Sequence, residues 1–350
     1  MFTHTLRNLT GAAALLACTL ASTLAPSTAS AAGATFSDLV IFGDSLSDTG
    51  NLSLATGGAE PGIAQPYFNG RYSNGLLWTE LLATGLGQTG DANPYLLGGN
   101  NYAYAGARTG TGAAPPGLLL QTSTLWGSTH AAADPNALYV LVGGGNDMRD
   151  ARSLFGSNSA GDQAGRELSA EAAIYKMTTS LGLLASRGAK NVLVSSLPDL
   201  GLTPEAFLLG ETAASADASL RFNALMPTLL STGAALGLHM SFLDMNGVMT
   251  MIRNDALFNS GGVYGITDIS HPCAGFDYSA GNACSASLYA DVLHPSARTH
   301  EIIAMAALQA VGAVPEPETV LMMALGLGFL GYSVRRRSNS NSNSNSSNMV

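Results

Sequence analysis

Four short stretches of the chain are apolar without alternation: DLVIFG at 38–43, ALYVLVGG at 137–144, NVLVSSLP at 191–198 and HMSFLD at 239–244. Runs of this length without an in/out rhythm suit strands covered on both faces, as in a parallel sheet. NYAYAG at 101–106 is a weaker fifth candidate. Between the runs lie amphipathic or Ala/Leu-rich stretches at 76–86, 118–130, 164–187, 213–236 and 296–311, which predict helices. Pro227 falls inside the fourth of these and predicts a kink or two separate helices there. Strand and helix in alternation predict an α/β domain with helices on both faces of the sheet. No repeat of solenoid period is present. The Gly/Asn/Ser-rich segments 50–75 and 255–290 predict irregular loops, long enough to suggest a function.

Both ends of the chain read as addresses rather than as parts of that domain. Residues 1–31 hold one Arg, a stretch of small apolar residues and the triplet Ala29-Ser30-Ala31, the pattern of a secretory leader with its cleavage site. Leu15-Leu16-Ala17-Cys18 weakly resembles a lipoprotein processing site, but the apolar run continues past Cys18. Loss of the leader removes Cys18 and leaves Cys273 and Cys284, an even pair that should bridge in an oxidising compartment. At the other end, Thr319 to Val334 is uncharged and mostly apolar, slightly short for a membrane span, and Arg335 to Arg337 follow it at once. The arginines would stay cytoplasmic, giving a transient anchor with the domain outside. Val314-Pro315-Glu316-Pro317, the apolar run and the arginines together resemble the PEP-CTERM sorting signal, within 314–337. The resemblance implies a Gram-negative bacterium, an exosortase-type enzyme as processing partner beside signal peptidase, and a secreted or cell-surface product. An ordinary C-terminal anchor is the alternative. The Ser/Asn repeat at 338–350 departs from that signal and reads as a disordered tail.

What remains is a domain spanning 32–313. The whole chain is 46% hydrophobic with a formal charge of −9 and no basic tract in its body, which argues against a nucleic-acid partner. In an open parallel sheet, ligands bind beyond the carboxyl ends of the strands. Here those ends carry Gly43-Asp44-Ser45 after the first run, Gly106 after the weak second, and Gly143-Gly144-Gly145-Asn146-Asp147 after the third. Asp291 and His294 come just before the final predicted helix. These are the parts that acyl transfer requires. A serine hydroxyl needs a base, and a histidine of near-neutral pKa serves, held in one tautomer by an aspartate. The N–H groups of Ser45 and Gly106 and the amide of Asn146 are candidate donors to an oxyanion.

At these residues the chain resembles the GDSL, or SGNH, lipase/esterase family. FGDSLSDTGN, GRYSNGLLWTELLA, NYAYAGA, VGGGNDM, SLPDLGLTP and DVLHP follow one another in the family's order from about 36 to 311. The resemblance implies a three-layer α/β/α sandwich with a mostly parallel, flavodoxin-like sheet. It also implies Ser45 as nucleophile, Asp291 and His294 as the rest of a triad, and Gly106 and Asn146 completing the oxyanion hole with Ser45. No G-x-S-x-G is present, which disfavours the α/β-hydrolase elbow.

The pattern Asp-x-x-His-Pro occurs twice, at 268–272 and at 291–295. His294 is assigned as the base because Ser296 can cap a final helix that braces it. His271 sits on the shoulder of the Cys273–Cys284 loop, and a metal reading of that group lacks a fourth ligand. His130, His239 and His300 read as packing or surface histidines, and Trp78 and the Met-rich stretch 245–251 as core. Asp44, Asp48 and Asn51 are expected to brace the Ser45 loop, and Asp147 to do likewise beside Asn146. The expected function is an exported serine ester hydrolase whose partner is an ester substrate, lipid or acylated carbohydrate, with no metal and no organic cofactor. An acyltransferase using the same acyl-enzyme, or a non-catalytic matrix or polysaccharide-binding protein, are the alternatives.

Overall fold

The computed structural model describes residues 34–61, 67–275 and 283–313. The expected leader, the sorting segment and the Ser/Asn tail lie outside the described residues. Each of the four apolar runs contains a strand: β1 Leu39–Phe42, β2 Leu138–Leu141, β3 Asn191–Ser195 and β4 His239–Leu243. They pair in parallel in the order β1-β2-β3-β4, with Leu39 beside Leu138, Leu138 beside Asn191 and Asn191 beside His239.

Side chains alternate between the two faces of the sheet, as strand geometry requires. Val40, Phe42, Tyr139, Leu141, Val192 and Val194 enter one core, and Leu39, Ile41, Leu138, Val140 and Leu193 the other. The first core is closed by the helices α4 Ala160–Arg187, α6 Thr212–Ala224 and α7 Met226–Ala235, through Met177, Leu181, Phe222 and Leu229. The second is closed by α2 Trp78–Gly85, α8 Met245–Asn259 and α9 Ala297–Ala310, through Trp78, Leu82, Ile252 and Ile303. This is the expected three-layer α/β/α sandwich.

The expected strand at 101–106 is the first departure. It runs parallel to the outer edge of β1, with Ile41 N–H donating to Asn100, Tyr102 N–H to Ile41 and Tyr104 N–H to Gly43. The Asn51 amide donates to its carbonyls at Asn101 and Ala103, among the described residues only a single bridge to Pro94 forms on that side through the Tyr95 N–H, and the segment stays irregular. Counted as an edge, it gives the 2-1-3-4-5 order of a flavodoxin-like sheet. The second departure is β4, which is an edge strand with His239 and Phe242 exposed rather than covered on both faces. Pro227 does divide its region: it lies in the first turn of α7, where its missing N–H costs nothing.

Four helices fall where none was expected: the short α1 Asn51–Ala55, α3 Gly145–Leu154, α5 Pro204–Leu209 and α8 Met245–Asn259. In α3 the inward positions include Arg152 as well as Met148 and Ala151, so the apolar period is broken. Arg152 is buried because Glu205 and Glu211 pair with it at 2.5 and 3.0 Å. α8 extends into the segment read as loop, to Asn259. The expected helix 118–130 is a helical stretch over Leu118–Trp126 that widens to π geometry from Gln121. Among the described residues no helix is long and apolar enough to cross a membrane.

Candidate active site

Ser45 stands at the start of the turn that leaves β1. The turn is over-determined by buried side chains. Asp48 accepts the N–H groups of Gly50, Asn51 and Leu52 at 2.8, 2.6 and 3.1 Å, and that of Ala105 at 2.8 Å. Asn51 donates to the carbonyls of Asn101 and Ala103, and Asn101 donates to the carbonyl of Ser47 at 2.7 Å. The loop after β1 and the loop holding Gly106 are thereby locked together. Gln121 adds a clamp on Gly43, accepting its N–H and donating to its carbonyl, both at 2.9 Å. Asp44 accepts the Leu46 N–H at 3.1 Å, and burial pushes its carboxyl up to about 6.

His294 arrives from the opposite end of the chain. Its Nε2 lies 2.8 Å from Ser45 Oγ, and its Nδ1 lies 2.7 Å from Asp291 Oδ2. Asp291 is buried and turns back on its own loop, accepting the N–H groups of Leu293 and His294 at 2.8 and 2.6 Å. Burial alone would raise its carboxyl; the charge of His294 and these donors outweigh burial and hold it below the ordinary carboxylate value. With Nδ1 facing a carboxylate, the imidazole carries its proton there and leaves Nε2 free to accept from Ser45.

The loop of His294 is braced from three sides. Ser296 caps α9 as expected, accepting the Thr299 N–H and donating to the Ser287 carbonyl. The segment 71–74 holds its other flank: Ser73 donates to the Pro295 carbonyl, Asn74 accepts the Ala297 N–H, and Arg71 pairs with Glu80 of α2. Tyr72 lays its ring on the imidazole at 4.8 Å between centroids, and Tyr67 Oη donates to Asp291 Oδ2 at 3.0 Å.

The three candidate oxyanion donors meet at Ser45. Gly106 has φ +78°, a left-handed conformation that glycine adopts without strain. Among the described residues, neither its N–H nor that of Ser45 donates to a protein acceptor. Asn146 is in the first turn of α3, whose preceding Gly144 (φ +105°) passes so close to Phe222 that a Cβ would lie 2.4 Å from the ring. Asn146 Nδ2 donates one hydrogen to the Ala107 carbonyl at 2.9 Å, and its Oδ1 accepts from Arg149 at 3.1 Å. Those two bonds fix which end of the amide is which and leave the second Nδ2 hydrogen for a ligand. Arg149 is held in turn by Glu205 of α5, at 2.5 Å, and the Glu205 N–H donates to Val292 in the His294 loop at 2.7 Å.

Two depressions share Ser45, Asn146, Arg149, Leu293 and His294. One is mostly apolar, walled by Val142, Leu197, Leu200, Met245, Met249 and Leu293, with Thr203 at its side. The other is polar and adds Gly106, Tyr67, Tyr72, Asp291 and Glu205. An ester placed between them has its two halves in environments of opposite character.

Ser45, Asp291, His294, Gly106 and Asn146 thus converge, whereas His271 does not. Asp268 and His271 repeat the same local turn, with the His271 N–H donating to Asp268 Oδ1 at 2.9 Å and Nδ1 3.2 Å from Oδ2. The His271 side chain is, however, 58% exposed, against 10% for His294. Cys273 and Cys284 are disulfide-bonded. Asp147 accepts both the N–H and the hydroxyl of Thr109, bracing the loop after Gly106. Trp78 is core as expected, while Met245 and Met249 are both core and pocket wall. His130 stacks on Trp126, and His300 is fully buried with Nδ1 accepting the Trp78 N–H. Among the described residues, no group of three or more His, Cys, Asp or Glu is placed to hold a metal ion. Tyr67, Tyr72, Arg149 and Glu205 were not foreseen; only Tyr72 lay inside a recognised block.

The chain matches the family model described as GDSL-like lipase/acylhydrolase over residues 39–307, and that of the PEP-CTERM protein-sorting motif over 313–337. Esterase EstA of Pseudomonas aeruginosa is 33% identical over 227 residues, 55% of this chain and 32% of that protein. Phosphatidylcholine-sterol acyltransferase of Aeromonas hydrophila is 28% identical over 246 residues, 69% of this chain and 67% of that protein. An uncharacterized protein from the trpE-trpG intergenic region of Pseudomonas putida is 34% identical over 216 residues, 55% of this chain and 34% of that protein. The chain spans about a third of the length of that protein and of EstA. The acetylxylan esterase Axe2 of Geobacillus stearothermophilus superposes with a TM-score of 0.44 at 12% identity, over 81% of this chain and 99% of that one.

Proposed function

For a chain that belongs to the GDSL-like lipase/acylhydrolase family, we propose hydrolysis of carboxylic esters through an acyl-enzyme on Ser45. The observation that carries the reading is the unbroken path from Ser45 Oγ to His294 Nε2 at 2.8 Å and from Nδ1 to Asp291 at 2.7 Å, beside three unspent donors. The ester carbonyl sits over Ser45 with its oxygen toward the N–H groups of Ser45 and Gly106 and Asn146 Nδ2. As Oγ bonds to the carbonyl carbon, its proton passes to Nε2, and Asp291 stabilises the imidazolium that forms. The tetrahedral oxyanion collapses, His294 protonates the leaving alcohol, and the acyl group remains on Oγ. A water then enters, gives its proton to Nε2, and releases the acid by the same steps in reverse. The acyl group occupies the apolar depression beside Leu197 and Met249; the alcohol leaves through the polar one beside Glu205 and Tyr72.

The similarity to an acyltransferase over 69% of this chain favours a second reading, in which an alcohol rather than water takes the acyl group. The PEP-CTERM motif indicates export and surface sorting in Gram-negative bacteria. We place the leader at 1–31, the hydrolase domain at 32–313 and the sorting segment at 314–337, with signal peptidase and an exosortase-type enzyme acting on the ends.

The test is turnover of p-nitrophenyl esters from acetate to palmitate, with Ser45→Ala as the blank and an added alcohol as competing acceptor. Serine-dependent release of free acid establishes the hydrolase. Acyl transfer in preference to hydrolysis, read by mass spectrometry, establishes the second reading. Equal rates in the blank refute both.

A further inference from the structure

α5 carries an apolar surface that the fold does not use. Of its six residues, Ala206 is buried, while Phe207, Leu208 and Leu209 are 73, 54 and 58% exposed, and Leu202 just before it is 41% exposed. Single exposed leucines are ordinary, but four large apolar side chains within eight residues form a patch that a soluble domain does not leave in water without use.

Its place in the fold says what it meets. On a helix, residues three and four apart share a face. Phe207 is therefore stacked one turn beyond Thr203, which lines the apolar depression, and Leu208 and Leu209 one turn beyond Glu205, which lines the polar one. The patch thus continues the same short helix whose start supplies a wall residue to each depression beside Ser45. The helix is also rigidly set: Thr203 caps it, Glu205 pairs with Arg149 and Arg152, and the Glu205 N–H is bonded to Val292. A protein bound permanently on this face would stand over the entrance to the site, whereas a surface that delivers substrate gains from being there. The chain's formal charge of −9 favours an uncharged surface over an anionic one.

We propose that α5 is a docking helix that seats the catalytic mouth on the surface of an aggregated, uncharged acyl ester. Phe207, Leu208 and Leu209 enter the surface layer, and an acyl chain passes from it across Thr203 into the pocket walled by Leu200 and Met249. The proposal rests on the ester-hydrolase reading, and the experiment separates the two.

The full chain and its Phe207→Ser/Leu208→Ser variant are compared on tributyrin through its solubility limit, and on p-nitrophenyl acetate in solution. The wild type should show a rate step of at least fivefold as the emulsion forms. The variant should match it within twofold on both dissolved substrates, which also reports an intact fold, and should lose the step. Coating the emulsion with an anionic surfactant should shrink the wild-type step. Absence of a step in the wild type, survival of the full step in the variant, or an unaltered step on the anionic emulsion overturns the proposal. Absence of Ser45-dependent turnover of p-nitrophenyl acetate instead overturns the reading beneath it.

Discussion

Replacing Asn146 by alanine removes one of three donors proposed to hold the oxyanion. Loss of such a donor raises the barrier by about 3 kcal/mol, or about 150-fold in kcat. KM should change little, because the donor acts on charge that develops only in the transition state. The structure adds a separate stability cost. Asn146 Nδ2 also satisfies the Ala107 carbonyl at 2.9 Å, and leaving a buried acceptor unmet costs about 1–3 kcal/mol. The two effects separate if kcat and KM are measured on p-nitrophenyl butyrate alongside urea denaturation at the same pH. Arg149→Leu is the companion: it keeps the amide but removes the donor that fixes Oδ1. Its kcat should fall by about tenfold, less than the loss of the donor itself. A folded Asn146→Ala enzyme with kcat within threefold of wild type would remove Asn146 from the oxyanion hole.

Tyr67→Phe deletes the hydroxyl that donates to Asp291 Oδ2, and about 1 kcal/mol of lost support predicts a kcat near one fifth of wild type. A folded Tyr67→Phe enzyme with kcat within 1.5-fold of wild type would contradict that role. His300 is kept neutral because burial pushes it down to about 3. Its unfolded form takes up a proton below about 6.5, so its contribution is complete above that pH and is lost as pH falls toward 3. Between pH 7.5 and 5 this amounts to about 2 kcal/mol. Subtracting the pH dependence of a His300→Gln variant from that of wild type in denaturant melts should return that figure, and a null difference would refute it. Reducing the Cys273–Cys284 disulfide, which closes a loop of sequence separation 11, should cost about 2–3 kcal/mol of stability. Urea midpoints that coincide with and without reductant would contradict this.

The residues legible in the sequence are those whose roles are local. Asp291 and His294 are three apart, and the turn they share forms in the Asp268/His271 copy as well; what distinguishes the copies is burial and the presence of Ser45, 249 positions away from His294. The capping Ser296 and the helix behind it were the only local hint, and they were enough. Gly106 and Asn146 were legible because strand ends in a parallel sheet are where ligands bind. Tyr67, Arg149 and Glu205 were not. Tyr67 meets Asp291 across 224 positions and Arg149 meets Glu205 across 56, and no spacing rule reaches that far. Helix α3 was missed because its inward face buries Arg152 on two carboxylates where the periodic pattern asks for an apolar residue. The irregular edge at 101–106 was misread as a strand because its apolar residues suit one, while Asn51 and Asn101 take its backbone groups.

Glu205 links the halves of the site. Through Arg149 it orients the amide of Asn146, and through its own N–H it holds Val292 in the loop of Asp291 and His294. Its carboxyl stays below the ordinary value: burial opposes this, and the paired arginines Arg149 and Arg152 outweigh burial. A negative Glu205 at working pH therefore keeps the proposed oxyanion donor Asn146 and the Asp291–His294 pair in one frame, as preorganisation requires.

In the proposed mechanism an acyl group rests on Ser45 during turnover. This is tested most directly by acid-quenching the enzyme within the first turnovers of p-nitrophenyl butyrate and weighing the peptide that contains Ser45. That peptide should carry a butyryl mass increment, near one per enzyme in the burst, and none in Ser45→Ala. Full turnover with the peptide unmodified, or an increment on another residue that survives in Ser45→Ala, would contradict it.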